Sequence, residues 1–145
     1  IDWSGENGID ILTCENVVVN SCDIKKCDYA AISLDQSDVG STFGFGEGIN
    51  KNNKNILITN SYLESTRAAS VFVTTAESTK ITNCTLNNIY ERGTSEFYGK
   101  LIQVAVNSSG GKITSLNITN NSYIYDSNNI QVWAYPRKCR TASCV

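Results

Sequence analysis

Two aspartates, Asp10 and Asp35, and one arginine, Arg67, are the side chains of this sequence best suited to bond-breaking chemistry. Two carboxyl groups can divide the work of glycoside hydrolysis. One gives a proton to the leaving oxygen and the other activates water, at about 6.5–9.5 Å separation in the inverting reaction. A basic residue can instead abstract a proton in an elimination, with calcium held by oxygen ligands. Arg67, Lys80 or Lys100 could supply that base, and Asp28, Glu64, Asp35 or Asp38 the ligands. Plainer readings stand beside both: two solvated aspartates, and an arginine in a weak surface ion pair. No cofactor is otherwise indicated, and calcium enters only with the lyase chemistry. The six cysteines, Cys14, Cys22, Cys27, Cys84, Cys139 and Cys144, match no zinc spacing, and histidine is absent. Cys139 with Cys144 is the local disulfide to expect, whereas Cys22 and Cys84 are expected to stand too far apart to bridge. Asn83, Asn107, Asn117 and Asn120 each begin an Asn-x-Ser/Thr triplet and are glycosylation candidates. So Asn-, Ser- and Thr-rich a chain would give about three or four such triplets by chance.

The elements that position these residues show as a repeat. One set of short β-type segments is Ile9-Asp10-Ile11, Ile32-Ser33-Leu34, Val71-Phe72-Val73, Ile102-Gln103-Val104 and Ile130-Gln131-Val132. A second set follows: Val17-Val18-Val19, Ile56-Leu57-Ile58, Lys80-Ile81 and Leu116-Asn117-Ile118. Aligned on Val19, Ile58, Ile81 and Ile118, the residue two on is Ser21, Asn60, Asn83 and Asn120. Three on stand Cys22, Ser61, Cys84 and Asn121, and five on Ile24, Leu63, Leu86 and Tyr123. Ile9 to Ile32 is 23 residues, and the later intervals are the same unit with inserted loops. A coil of about 23 residues with alternating apolar and polar positions predicts an all-β solenoid, a parallel β-helix of four to five coils. Equivalent residues of successive coils would then stack about 4.8 Å apart, and the Asn column would form an amide ladder. A leucine-rich repeat would need regular Leu spacing, and an antiparallel sandwich would leave the aligned turn residues without a cause.

Composition narrows the function classes. The chain has 145 residues, one proline and a net charge of −2. Mixed charge argues against nucleic acid as a partner. No apolar run reaches the roughly 20 residues of a membrane helix. Beginning at Ile1 and lacking methionine, the chain is expected to be a mature or internal piece. Residues 1–132 read as β-helix coils and 133–145, with Pro136, as a cap or the start of another segment. An uncapped stack exposes strand edges, so either a homotrimer or continuation of the helix in a longer chain is expected.

At Gly8-Ile9-Asp10-Ile11, Asn16-Val17-Val18-Val19, Cys22, Ile24 and Asp28 the chain resembles the pectin-lyase-like superfamily, most nearly the polygalacturonases. The resemblance implies a right-handed parallel β-helix, an extracellular setting and an acidic polysaccharide substrate. The family's catalytic set is not retained. Its Asn-Thr-Asp-Gly turn becomes Gly5-Glu6-Asn7-Gly8, its paired acids become Cys27-Asp28-Tyr29-Ala30, and its Gly-His-Gly turn cannot form without histidine.

The outward columns offer another surface. One holds Asp10, Ser33, Phe72, Gln103 and Gln131, and the next Leu12, Asp35, Thr74, Ala105 and Trp133. Asp10 and Asp35 would lie about 8 Å apart on neighbouring coils. Phe72, Gln103, Gln131 and Trp133 are the candidate substrate-binding residues. The insertions Asp35–Lys54, with Phe43 and Phe45, and Asn87–Lys100, with Tyr90, Arg92, Phe97 and Tyr98, either shape a sugar-binding face or pack onto the helix. Two functions follow. One is a polysaccharide-degrading hydrolase or lyase segment. The other is a non-catalytic structural or adhesive β-helix, such as a tailspike, adhesin or virion surface protein. Either partner would be a polysaccharide or surface glycan, met outside the cell or at a cell or virion surface.

Overall fold

The computed structural model describes residues 1–35, 52–89, 99–104 and 113–124, and the backbone of 130–131. Trp133, Ala105, Asn107, Cys139, Cys144, the segment 133–145 and the aromatics of both insertions lie outside the described residues.

Short β-branched segments broken by polar bends cannot sustain helices, and every regular element among the described residues is a strand. In chain order these are β1 (Asp2–Ser4), β2 (Ile9–Leu12), β3 (Val18–Asn20), β4 (Asp23–Cys27), β5 (Ala30–Asp35), β6 (Leu57–Thr59) and β7 (Tyr62–Ser65). They continue with β8 (Ala69–Val73), β9 (Thr79–Thr82), β10 (Thr85–Asn88), β11 (Lys100–Val104), β12 (Leu116–Thr119), β13 (Ser122–Tyr123) and β14 (Ile130–Gln131).

The strands form three sheets: β1-β4-β7-β10-β13, β2-β5-β8-β11-β14 and β3-β6-β9-β12, called sheets 1, 2 and 3 in that order. Every pairing between them is parallel. The chain visits sheets 1, 2 and 3 in unbroken rotation, a path consistent with a parallel β-helix. Parallel neighbours need a crossover, and here each crossover consists of the strands of the other two sheets.

The register answers the stacking expectation residue by residue. Ile9, Ile32, Val71, Ile102 and Ile130 pair in one file. Val19, Ile58, Ile81 and Ile118 pair in a second, and Ile24, Leu63, Leu86 and Tyr123 in a third. Ile32, Ile58, Leu63, Val71, Ile81, Leu86 and Ile102 are wholly buried in one apolar core. Each such side chain contributes roughly 1.5–3 kcal/mol.

The bends have a cause other than the one expected of them. Ser21, Asn60, Asn83 and Asn120 all have φ between 50° and 55°, and Asn16, Asn55 and Ser78 repeat this one bend earlier. Asparagine tolerates the left-handed region better than most residues, so the Asn column marks a backbone conformation. Amide bonds between coils do occur, from Asn60 to Asn20 at 3.0 Å and from Asn55 to Asn16 at 3.1 Å. Only the second joins two equivalent bend residues, and a continuous ladder does not run down the Ser21 column.

After the Thr13, Ser21 and Asn83 bends the next residue turns its N–H towards the next coil, and a side chain there accepts it. Cys22 N–H is taken by Ser61 Oγ (3.1 Å), Cys84 N–H by Asn121 Oδ1 (2.9 Å) and Cys14 N–H by Asn53 Oδ1 (2.9 Å). The backbone of Ser61 hydrogen-bonds the Cys84 sulfur. Small polar side chains recur here because a buried N–H left unpaired is costly. Cys14, Cys22, Cys27 and Cys84 are free thiols.

Candidate functional site

Sheet 2 carries the candidate wall. Its register sets Asp10 against Ser33, Ser33 against Phe72, Phe72 against Gln103 and Gln103 against Gln131. Leu12 stands against Asp35. Two residues of strand separate Asp10 from Leu12, so Asp10 and Asp35 share one face of neighbouring strands. Strand geometry spaces them by roughly 8 Å.

Asp10 is exposed, and Asn7 orients it. The Asn7 Nδ2 group donates to Asp10 Oδ1 at 2.7 Å, while Asn7 Oδ1 accepts the Ala30 N–H at 3.1 Å. Asn7 thereby clamps the Glu6–Gly8 turn to the next coil and holds the carboxylate at once. Gly8 makes that turn possible, since a Cβ there would lie 2.6 Å from Ile24 Cγ2 and 2.7 Å from the Ala31 carbonyl oxygen. The Asp10 carboxyl is pushed above its ordinary 3.8. Partial burial of the carboxyl, in a residue that is exposed as a whole, is the main cause, and the charges of Asp35 and Glu6 add to it against the opposing Asn7 and Ser33 hydrogen bonds.

Asp35 accepts a hydrogen bond from the Thr74 hydroxyl, one coil on. Its own backbone carbonyl accepts Asn53 Nδ2 at 2.8 Å. The same Nδ2 reaches the Ile11 carbonyl at 3.0 Å and Thr75 Oγ1 at 2.9 Å. Asn53 is fully buried, and through these bonds it ties Asp35 to the strand of Asp10. The columns taken from the sequence as outward are not uniformly wet: Ser33 and Thr74 are buried, and Phe72 and Gln103 half-buried.

Arg67 sits in the bend entering β8. Its Nη2 lies 3.3 Å from Asp28 Oδ2, and its guanidinium carbon 5.7 Å from the Tyr29 ring centre. Tyr29 meets Phe72 edge to face, with centroids 5.6 Å apart and planes at 71°. One chain of contacts therefore runs from Asp28 through Arg67 and Tyr29 to Phe72 on the wall.

The proposed calcium ligands are not gathered. Glu64 lies in sheet 1, where its Oε2 accepts Tyr62 Oη at 2.8 Å and Asn87 Nδ2 at 2.9 Å. Asp35 lies in sheet 2, Asp28 faces Arg67, and Asp38 is outside the described residues. No group of three or more His, Cys, Asp or Glu suited to a metal occurs among the described residues. Lys80 is exposed on β9 of sheet 3, and Lys100 is half-buried at the start of β11.

Sequence reasoning missed Asn53; it placed Thr74 only as a member of Asp35's column, and Asn7 and Tyr29 only in turns that depart from the family's, without the contacts they make. Asn53 shares the aligned position of Cys14, because Glu15 and Lys54, the next residues, form a parallel bridge. The inserted loop before it hid that equivalence. No helix of the described residues is long and apolar enough to cross a membrane. No family model, curated protein or solved structure matches the chain.

Proposed function

We propose that this chain is part of a right-handed parallel β-helix of the pectin-lyase-like kind, and that sheet 2 is the wall along which it handles a polysaccharide outside the cell or at a cell or virion surface. The observation that carries this reading is the unbroken file Asp10–Ser33–Phe72–Gln103–Gln131 in parallel register, with Asp35 beside it. Such a file repeats every 4.8 Å or so; with Ser33 buried, the exposed Asp10 and the half-buried Gln103 are the polar groups it offers a sugar chain, on either side of the half-buried Phe72 ring.

The chemistry that best suits the carboxyl pair is inverting hydrolysis. Asp10, whose protonated form is favoured chiefly by partial burial of its carboxyl, donates the proton to the glycosidic oxygen. Asp35, anchored by Thr74, takes a proton from water as that water attacks the anomeric carbon from the opposite face. The bond to the leaving oxygen breaks, and one water is consumed per bond cut. Arg67 fits a positioning role better than that of a base, because it pairs with Asp28 and lies over Tyr29.

A binding-only reading is favoured by Asn7. It occupies the turn in which the resembling family carries an acid, and both ends of its amide are committed to hydrogen bonds. The experiment is to incubate the chain with acidic and neutral polysaccharides and measure reducing ends and the ultraviolet absorbance of unsaturated products. Binding to a glycan array is measured in parallel. Reducing ends that vanish in Asp10→Asn and Asp35→Asn support hydrolysis, whereas binding without products supports the adhesive reading. Unsaturated products lost in Arg67→Ala would restore the lyase. Neither binding nor products would overturn the glycan reading itself.

A further inference from the structure

The asparagines among the described residues fall into two groups. Those outside Asn-x-Ser/Thr triplets are bonded. Asn16 pairs with Asn55 and Asn20 with Asn60 across coils, while Asn53 and Asn121 hold main-chain groups. Asn7, Asn87 and Asn88 are likewise engaged, and Asn52 has a partner. Among the described residues, the three that begin a triplet, Asn83, Asn117 and Asn120, are exposed and their side chains make no hydrogen bond. Exposure alone does not separate the groups, since Asn16, Asn20, Asn55 and Asn60 are exposed too. The separation lies in what each amide does.

Asn83 and Asn120 occupy the same bend on successive coils, flanked by the pairs Thr82 with Thr119 and Thr85 with Ser122. Asn117 lies on the outer face of β12, in register with Lys80. All three are on sheet 3 or at its junction with sheet 1. A substituent there would leave the sheet 2 wall uncovered.

We propose that Asn83, Asn117 and Asn120 are acceptors of N-linked oligosaccharide. The amide nitrogen forms a bond to the anomeric carbon of an oligosaccharide carried on a lipid diphosphate. The carbon–oxygen bond to the diphosphate breaks, the diphosphate leaves with the electron pair, and the amide proton passes to a base of the transferring enzyme. The folded coils accommodate the product because no side-chain hydrogen bond is lost at these three residues and each is exposed. The proposal stands independently of the wall's function.

The test is secretion of the full chain from a eukaryotic cell, followed by release of N-glycans in heavy-oxygen water, which marks each formerly occupied Asn as labelled Asp. Peptide mass spectrometry reads the marks. Label at one or more of Asn83, Asn117 and Asn120 is expected. Folded, secreted protein with label at none of them would overturn the proposal. Asn83→Gly, Asn120→Gly and Asn117→Gln serve as paired variants, glycine being chosen where φ is 54° or 55°. Each variant at a labelled site is expected to remove one step from the intact mass, and all three to leave the thermal midpoint of the deglycosylated protein unchanged. A marked fall in that midpoint for Asn117→Gln would show a structural role for its side chain and overturn the proposal at that site.

Discussion

At the scale of single residues, the wall depends on amides whose oxygen and nitrogen do different jobs. Asn53 is the clearest case, with Oδ1 on the Cys14 N–H and Nδ2 among the Ile11 carbonyl, the Asp35 carbonyl and the Thr75 hydroxyl. Asn53→Ala strands several buried groups at once, each at roughly 1–3 kcal/mol. A loss of about 3 kcal/mol is expected in urea unfolding; a loss under about 1 kcal/mol would mean that solvent replaces the side chain. Asp10 makes a prediction of opposite sign. Its folded carboxyl titrates above 3.8, so the native state holds the proton more tightly than the unfolded chain does. Its contribution is therefore best below 3.8 and declines as pH rises through the folded value, after which it is constant. Asp10→Asn keeps an oxygen for the Asn7 amide and removes the charge. The variant is expected to melt higher than the parent at neutral pH, with the difference vanishing well below pH 3.8. Equal melting temperatures at neutral pH would contradict the assignment of burial as the main cause.

At the scale of elements, the bends decide where each strand ends. The left-handed residue reverses the direction of the next N–H, and at Cys14, Cys22 and Cys84 a small polar side chain one coil on receives it. Ser21 fills a bend that Asn fills in the next three coils, at φ 55°. Ser21→Gly is expected to raise stability by up to about 1 kcal/mol, and Asn60→Val to lower it by about 1–2 kcal/mol. Chemical denaturation of the pair checks both signs together. The recurrence of these positions was legible in the sequence. Their cause was not, because an Asn column reads equally as a side-chain ladder or as a backbone requirement, and only φ separates the two. The three apolar files were fully legible, since a register error of one residue would turn every Ile outward. The wall was legible in its membership, Asp10 through Gln131. Its hydration was not: Ser33 is buried, and Phe72 is half-buried against Tyr29, which comes from the separate bend between β4 and β5. Asn7 was read as a missing acid, and its clamp between Asp10 and Ala30 requires the next coil to be in place.

At the scale of the whole molecule, each coil touches its neighbours above and below, so stability is a sum of adjacent interfaces more than the property of one central core. The interfaces are unequal. β5 and β8 are almost entirely buried, whereas β12 alternates half-buried with exposed residues and β13 is exposed. Opening a coil at the β12–β13 end uncovers little apolar surface, while opening the β5–β8 interface breaks the Ile32–Val71 contact and the Asp35–Thr74 bond together. Native-state hydrogen exchange is therefore expected to show a gradient. The amides of β5 and β8 should exchange slowest, close to the global unfolding limit, and those of β12 and β13 orders of magnitude faster. That gradient bears on the wall. Asp35 and Phe72 lie on β5 and β8, the most persistent interface, whereas Asp10 lies on β2, the partly buried edge strand of sheet 2. The Asp10–Asp35 spacing therefore depends on the β2–β5 contact, and the amides of β2 should exchange faster than those of β5 and β8. A uniform exchange rate across all coils would mean that the molecule opens as one unit.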